Sequence, residues 1–322
     1  MAKNKDLLID EVVHILRKAG FVTSATCDIR PRCFDLAARR DDVLILVKVY
    51  YNIDGFNSKT AAEMRELAKH LAASAVVVGS IAREQPLETG VTYIRYGVSS
   101  INLETLYDYF IENLPPLVYA APGGLYVSID GDVLKEARKS KSISIGTLAS
   151  EVGVSRRTIS KYEEEGMDAS VEVAFKLEDI LDIAISQSID ILEVHAVHTK
   201  DLPPQPIEPE AEDTLFILKN LGLDVYMTKQ APFKAVSHNA DATMLTGVSI
   251  YNKTMVKRAQ LMSNISEVAH TQSIYIVEGK CKPKSIENTI LIEKRELSKV
   301  ESSDDLLSIM DAQKGSGQKL IQ

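Results

Sequence analysis

The sequence predicts a multidomain chain of α/β plus all-α class, in which two related α/β lobes flank a central domain of five helices. Its 322 residues are enough for two or three domains. Segments 114–124 (LPPLVYAAPGG) and 199–213 (TKDLPPQPIEPEAED) interrupt the periodicity with proline, glycine and acidic residues. The order of elements before the first break recurs after the second. We therefore predict lobes at 1–113 and 213–312, a helical domain at 125–198, a linker at 199–212 and a tail at 313–322.

Composition limits the class of protein. Hydrophobic residues make up 45% and charged residues 25%, which is typical of globular chains. The sequence contains no apolar run of the roughly 20 residues that cross a bilayer and no secretory pattern at its start, so we expect a cytoplasmic protein with no membrane contact. A net charge of -8 argues against non-specific coating of nucleic acid, and any DNA contact must be focal.

The three cysteines, Cys27, Cys33 and Cys281, give no paired framework and no CxxC motif. A disulfide or metal site joining Cys27 and Cys33 on paired strands is one reading. Buried thiols in a reducing cytosol is the reading we favour. We predict no metal and no cofactor.

The first lobe has a readable order of elements. A helical stripe covers 6–19 and stops at Gly20. Strands are predicted at 21–27, 33–38 and 43–50, with a tight turn at Asp41 and Asp42. A helix follows over 59–73, then strands at 75–79 and 91–96, and a helix from Asn102. This order is typical of an α/β lobe with a mixed sheet.

The third segment repeats the first. ILRKAGF (15–21) recurs as ILKNLGL (217–223), and FDLAARRDDVLILVKVYYN (34–52) aligns without gaps on FKAVSHNADATMLTGVSIY (233–251). The following helix and apolar strand also recur. We interpret this as a duplication, and chance similarity between two ordinary α/β lobes is the alternative.

The central segment predicts helices at 132–140, from Ser144 to Val152, at 156–164 and at 171–182. Ser144 and Ser155 are suitable N-caps. Gly153 lies at the position where the turn requires a left-handed backbone conformation. Two apolar residues, Val154 and Ile159, are expected to pack between the second and third helices and to fix their crossing angle. A small residue, a turning glycine and two plugs at this spacing favour a helix-turn-helix.

Over roughly 129–195 this stretch, with its signature GVSRRTISKYE, resembles the Xre/Cro phage-repressor type of helix-turn-helix. The resemblance implies that the third helix enters the DNA major groove. It places the residues Arg156, Arg157 and Lys161 at base-edge positions, and Ser155 and Thr158 at phosphate-contacting positions. The family often has a glutamine that contacts phosphate at the start of the second helix. Ile145 stands there instead, so that contact is lost or is supplied by Thr147.

The charge pattern favours the same face. From 133 to 161 the sequence has seven lysines and arginines against two acids, a local excess of five positive charges. The acidic run 163–165 lies at the C-terminal end of the third helix, away from the N-terminal residues that are expected to contact bases. A helix-turn-helix that contacts another protein is the alternative.

The first lobe resembles the restriction-endonuclease-like fold, whose pattern is an Asp, then an acid and a Lys two residues apart on the next strand. Asp35 and Lys48 match that pattern, but Leu46 stands at the position of the second acid. One carboxylate makes a poor magnesium site, although Glu63 is a conceivable substitute. The second lobe has Lys234 and Gly247 at the corresponding positions. We therefore predict a scaffold without catalytic residues.

No phosphate-binding loop or hydrolase motif occurs in the sequence. His195 and His198 have the spacing of two ligands on one helix face, but solvated or packed histidines are the better reading. The whole chain resembles a family of archaeal helix-turn-helix transcriptional regulators. The prediction is a sequence-specific regulator, not an enzyme, that binds double-stranded DNA as a homodimer, with lobes for dimerisation or sensing. A metal-dependent nuclease using Asp35 and Lys48, and a non-catalytic scaffold, are the alternatives.

Overall fold

The computed structural model describes residues 2–193, 209–240 and 242–317. The helices in these ranges are α1 Ala2–Lys18, α2 Ser58–His70, α3 Leu103–Tyr107, α4 Gly131–Ser140, α5 Ile145–Val152, α6 Arg156–Glu164, α7 Val171–Leu181, α8 Pro209–Asn220, α9 Lys253–Ala269, α10 Lys294–Leu297 and α11 Ser303–Gly317. The strands are β1 Val22–Thr23, β2 Leu36–Arg40, β3 Val43–Asn52, β4 Ser74–Ala82, β5 Gln85–Pro86, β6 Val91–Arg95, β7 Val98–Ile101, β8 Val118–Ala121, β9 Gly124–Val127, β10 Ala169–Ser170, β11 Asp224–Met227, β12 Ala235–His238, β13 Thr243–Ser249, β14 Gln272–Val277, β15 Ser285–Ile286 and β16 Thr289–Glu293.

These elements divide into two compact units that interleave along the chain. The first consists of Met1–Ile15, Tyr50–Gly55 and Val76–His195, and the second of Leu16–Val49, Phe56–Ala75 and Ala196–Gln322. The chain passes from one unit to the other inside α1, β3 and β4. The domain boundaries expected from the sequence remain predictions. Most of the expected linker lies outside the described residues, and α11 continues to Gly317, into the expected tail.

The sheet of the first unit runs β4-β7-β6-β8-β9-β10, with β5 paired to β4. Strands β6 and β8 are parallel, and β8 and β9 form an antiparallel hairpin. This hairpin lies at the break 114–124, which we read from the sequence as a boundary between domains. The two prolines precede β8, where a missing N–H removes no ladder bond. Gly123 and Gly124 make the turn with φ of 106° and 148°, a region that favours glycine.

The helical domain of the first unit consists of α4 to α7 around one core. Inward-facing residues of all four helices are buried, among them Leu134, Leu148, Ile159 and Leu177. The four helices that the sequence predicted at 132–140, after Ser144, at 156–164 and at 171–182 are present within one or two residues. The fifth helix is not confirmed, because the described residues after α7 form turns and a single bridge between Ile129 and Ser186.

The second unit contains a sheet of order β11-β12-β13-β14-β16-β15. Strands β13, β14 and β16 are parallel, whereas β11 and β12 join antiparallel. α9 packs on β13 and β14.

Strand β1, in the same unit, is much shorter than the predicted 21–27. The Ser24 hydroxyl accepts from the Ala37 amide at 2.9 Å, so a side chain replaces the strand carbonyl and the ladder ends early.

Within the second unit, α2 and β2 face α9 and β12. The Arg39 guanidinium on β2 donates to the carbonyls of Val268 and Ala269 at 3.0 and 3.2 Å, at the end of α9. His70 at the end of α2 lies 3.2 Å from His238 on β12, Nδ1 to Nε2, and stacks on Tyr226. Burial and the neighbouring His238 lower the pKa of His70. The gap-free alignment of 34–52 on 233–251 equates 39 with 238, so Arg39 and His238 are aligned residues, and each contacts the end of the other segment's helix.

Candidate nucleic-acid interface

Helix α6 begins at a well-formed N-cap. The Ser155 hydroxyl accepts from the Thr158 amide at 3.1 Å and lies 2.8 Å from the Thr158 hydroxyl. Serine at this position satisfies one of the amides that a helix start leaves unpaired. The first turn therefore holds its shape while Arg156 and Arg157 are exposed.

The turn before α6 has the geometry that its sequence predicted. Gly153 has a φ of 85°, and its amide and that of Val154 both donate to the Ala149 carbonyl at 3.0 and 2.9 Å. Val154 is half-buried against the helical core. A residue with a Cβ is strained at this φ, so the glycine fixes how α6 leaves α5.

Arg156 crosses the first turn of α5. A Cβ placed on Gly146 would lie 2.8 Å from Arg156 Nε and 2.9 Å from Nη2. Glycine is therefore required for the guanidinium to lie where it does. Thr147 is exposed beside it, with its hydroxyl 2.8 Å from that of Ser144. Ile145 instead packs against the helical core, so its side chain is not available to replace the phosphate-contacting glutamine.

Arg157 and Lys161 are four residues apart on α6 and share one face. Lys161 is half-buried, and its Nζ lies 3.4 Å from Glu165 Oε2. Thr158 is also half-buried. The six residues that the sequence singled out thus lie around the start of α5 and the first two turns of α6. Their contact with DNA stays a prediction.

The local positive charge is smaller than the sequence suggested. Arg138, counted in that excess, is buried at 8% exposure, and Glu163 from the acidic run at 6%. Arg138 Nε and Nη2 donate to the two Glu163 oxygens at 2.6 and 2.8 Å, and Nη1 donates to the Ile143 carbonyl at 3.0 Å. This hydrogen bonding raises the pKa of Arg138 above its ordinary value.

The Arg138–Glu163 pair ties the inner faces of α4 and α6 together and is unavailable to a partner. Sequence reasoning missed this pair because its members are 25 residues apart. A signal was present: Glu163 is four residues after Ile159 and follows Tyr162, on the face that points inward.

Two further contacts fix α6. A Cβ on Gly131 would lie 2.5 Å from the Tyr162 carbonyl oxygen, so α4 and α6 approach through their backbones. After α6, Asp168 accepts from the Tyr119 hydroxyl and from Ser128 Oγ, the latter at 2.8 Å. Burial and this carboxylate raise the pKa of Tyr119. Because Tyr119 is on β8, the segment that follows α6 is held by the hairpin.

Asp35 and Lys48 come together as the sequence pattern predicted, but in a closed network. Asp35 is fully buried, and its carboxylate lies 2.7 Å from Arg32 Nε and 3.6 Å from Lys48 Nζ. It also accepts from the Val49 amide at 2.8 Å. Arg32, which the sequence analysis did not consider, supplies a cation where a metal site needs a second acid.

Glu63 does not complete that network with a second carboxylate. Its Oε1 accepts from the amides of Lys229 and Gln230 at 2.6 and 3.2 Å. In the part of the chain that the structure describes, no group of three or more His, Cys, Asp or Glu residues is arranged to hold a metal ion. His195 and His198 lie outside the described residues.

Cys27 and Cys33 are buried free thiols rather than a disulfide. Burial raises the pKa of Cys33 and also that of Cys27. Cys281 is a free thiol of intermediate exposure. Among the described residues, no helix is both long and apolar enough to span a membrane.

Comparisons with known proteins agree with this architecture. Residues 5–116 match the PD-(D/E)XK superfamily domain, and residues 134–187 match a helix-turn-helix. The fold and the site therefore define a helix-turn-helix protein that also carries a PD-(D/E)XK superfamily domain.

Curated relatives match nearly the whole chain. A protein of Methanococcoides burtonii is 54% identical over 94% of this chain and 95% of its own length. One of Methanosarcina acetivorans is 52% identical over 96% and 98%, and one of Halobacterium salinarum 44% identical over 95% and 97%. Each is named a "Putative HTH-type transcriptional regulatory protein". The chain belongs to this archaeal family of HTH-type transcriptional regulatory proteins. No solved structure gives a significant match.

Proposed function

We propose that this protein is a transcriptional regulator that recognises a specific duplex DNA sequence through α6. The observation that carries the proposal is the exposure of Arg156 and Arg157 on the capped first turn of α6, while Glu163 anchors its inner face. A helix held from behind presents its first turn in a fixed orientation. The names of the relatives support a regulator, and the match to a helix-turn-helix supports DNA contact.

The residues divide by the chemistry of their side chains. Arg156, Arg157 and Lys161 read base edges, because a guanidinium bridges O6 and N7 of guanine at about 1–3 kcal/mol of discrimination per good pair. Ser155, Thr158 and Thr147 contact phosphates, which position the helix without reading sequence. The Ser155 and Thr147 side chains already sit at helix starts, where amides favour anions.

Selection from a random duplex pool tests the proposal, with and without magnesium. The wild type is expected to enrich one motif, and the variant carrying Arg156→Ala and Arg157→Ala is expected to enrich none. A matched control carries Lys59→Ala and Lys176→Ala, two exposed cations outside α6. Equal enrichment by all three proteins would show that α6 does not read DNA.

A homodimer is the second part of the proposal. One helix-turn-helix makes few contacts, and repressors of this type gain affinity by placing two modules about 34–36 Å apart along the duplex. Within the described residues a helix-turn-helix occurs once, at α5 and α6. We propose that the α/β lobes pair two chains or respond to a ligand. An inverted repeat in the enriched motif and a dimer mass in light scattering are expected, and a monomer bound to a single half-site would contradict this.

We further propose that neither lobe cuts DNA. In the first lobe, Arg32 forms an ion pair with the Asp35 carboxylate, which a metal ion would need as a ligand. We interpret the second lobe as a duplicated copy. In support, the Lys234 amide donates to the Thr246 carbonyl at 2.7 Å, as the Asp35 amide donates to that of Val47 at 2.7 Å. Yet it has lysine in place of the acid, and Gly247 is covered by the Tyr275 ring. Magnesium-dependent shortening of bound fragments would overturn this part.

A further inference from the structure

A surface of the second unit combines three strand ends with an unusual density of cations. Strands β13, β14 and β16 are parallel, and their last residues Ser249, Val277 and Glu293 are in register. The loops that follow these strands therefore emerge at one edge of the sheet. We call this surface the basic edge. It comprises 250–253, 278–284 and 293–296.

The loops of the basic edge are bonded to one another. The Glu278 amide donates to the Ser249 carbonyl at 3.1 Å, which joins the loop after β14 to the end of β13. The Cys281 amide donates to Glu293 Oε1 at 2.8 Å, which joins the same loop to the end of β16. The loops thus form a connected surface, and their side chains are held close together.

Cations outnumber the available acids on this edge. It carries five that make no ion pair with a described residue: Lys253, Lys280, Lys282, Lys294 and Arg295. Its six cations, these five and Lys284, face three acids, an excess of three positive charges. Glu296 pairs with Lys284 at 3.5 Å, whereas Glu293 accepts from the Cys281 amide and Glu278 accepts from the Thr214 hydroxyl at 3.5 Å. In a chain of net charge -8, this local excess of positive charge favours an anionic partner.

Exposed apolar side chains accompany the cations. Ile250 is 59% and Tyr251 45% exposed, and both follow β13 directly. Exposed apolar residues beside a charged surface are typical of a binding site. A tyrosine hydroxyl donates well to phosphate oxygens, and Ile250 offers an apolar surface to a sugar ring.

We infer that the basic edge binds the sugar–phosphate backbone of duplex DNA, as a second contact that reads no sequence. The inference rests on the proposed duplex binding by α6. Three adjacent strands span roughly 10 Å. Each strand of a duplex presents one negative charge per about 3.4 Å, so the edge faces about three phosphates of one backbone. A fixed row of cations of this length matches a backbone better than a single small anion.

The test measures affinity for duplex DNA against salt concentration in the full chain. The edge variant carries Lys280→Gln and Lys282→Gln. The matched control carries Lys59→Gln and Lys219→Gln, which remove the same charge at exposed positions outside the edge. Two lost phosphate contacts reduce the slope of log affinity against log salt by about two. The edge variant is expected to show this reduction and to keep the wild-type enriched motif, and the control is expected to show neither change.

The outcomes separate the two proposals. Equal slopes for the edge variant and the control, with the motif intact, would overturn the basic edge and leave the reading role of α6 standing. A wild type that binds no duplex would overturn both. Reduced affinity of the edge variant only for single-stranded RNA would also overturn it. In the Arg156→Ala, Arg157→Ala background, the remaining non-specific binding is expected to depend on Lys280 and Lys282. Thermal melts of all variants verify that they remain folded.

Discussion

Replacing Arg138 by alanine is the sharpest perturbation of the helical domain. The change removes two hydrogen bonds to Glu163 and one to the Ile143 carbonyl, and leaves a carboxylate that is 6% exposed without its cation. Breaking a buried pair from one side costs about 3–5 kcal/mol. Each 1.4 kcal/mol is about a factor of ten in an equilibrium constant. Amides of α4 and α6 that exchange by local opening should therefore exchange about two to three and a half orders of magnitude faster.

Hydrogen exchange followed by mass spectrometry measures this change directly in the full chain. Lys139→Ala, at the exposed neighbouring position, is the control and should leave exchange unchanged. Arg138→Met with Glu163→Leu removes both charges, and should recover most of the protection because no buried charge is left unpaired. If Arg138→Ala and Lys139→Ala give the same exchange in α6, the pair does not hold the helix.

Further predictions concern the close approaches and buried charges of both units. Gly131→Ala brings a methyl group to 2.5 Å from a backbone carbonyl oxygen of α6, and should cost about 1–3 kcal/mol in calorimetry. The added methyl group of Gly146→Ala meets only the end of the long Arg156 side chain, which can move aside, so the variant should keep nearly the same melting temperature and alter the enriched motif. The pKa of His70 is lowered from 6.5, so the folded protein favours the neutral ring. The contribution of His70 to stability should be complete above about pH 6.5 and should decline as the pH falls below that value, and His70→Phe should remove this decline. Asp35→Asn removes the negative charge beside the buried Lys48 and the half-buried Arg32 and should lower the melting temperature, whereas magnesium-dependent cleavage lost in this variant would favour the nuclease alternative.

The helix-turn-helix was predictable because its determinants are local. Ser144 and Ser155 cap the helices that follow them, and Gly153 takes the positive φ that its position requires. Each of these signals spans about four residues, so a single sequence displays it.

Features that depend on distant partners were not predictable in the same way. The hairpin β8–β9 reads as a break because prolines and glycines surround it, and only its pairing with β6 makes it part of a sheet. Arg138 and Lys139 look equivalent in the sequence, yet one is buried and the other exposed. Arg138 is buried because its partner Glu163, 25 residues away in the sequence, lies next to it in the folded chain. The sequence pattern identified Asp35 and Lys48 as an acid and a lysine on neighbouring strands. It could not show that the Arg32 side chain pairs with the Asp35 carboxylate.

The hairpin that holds Asp168 has a consequence for the DNA search that the proposed function implies. Strands β8 and β9 extend the sheet of the first unit, and β10, directly after α6, pairs with β9. Under the proposed function, the DNA-reading helix α6 therefore belongs to a unit whose sheet includes the hairpin. Its orientation within that unit is set by this pairing before any encounter, so binding should lose little additional freedom there. Rotational diffusion of the unit then sets how often α6 meets a groove in the correct orientation.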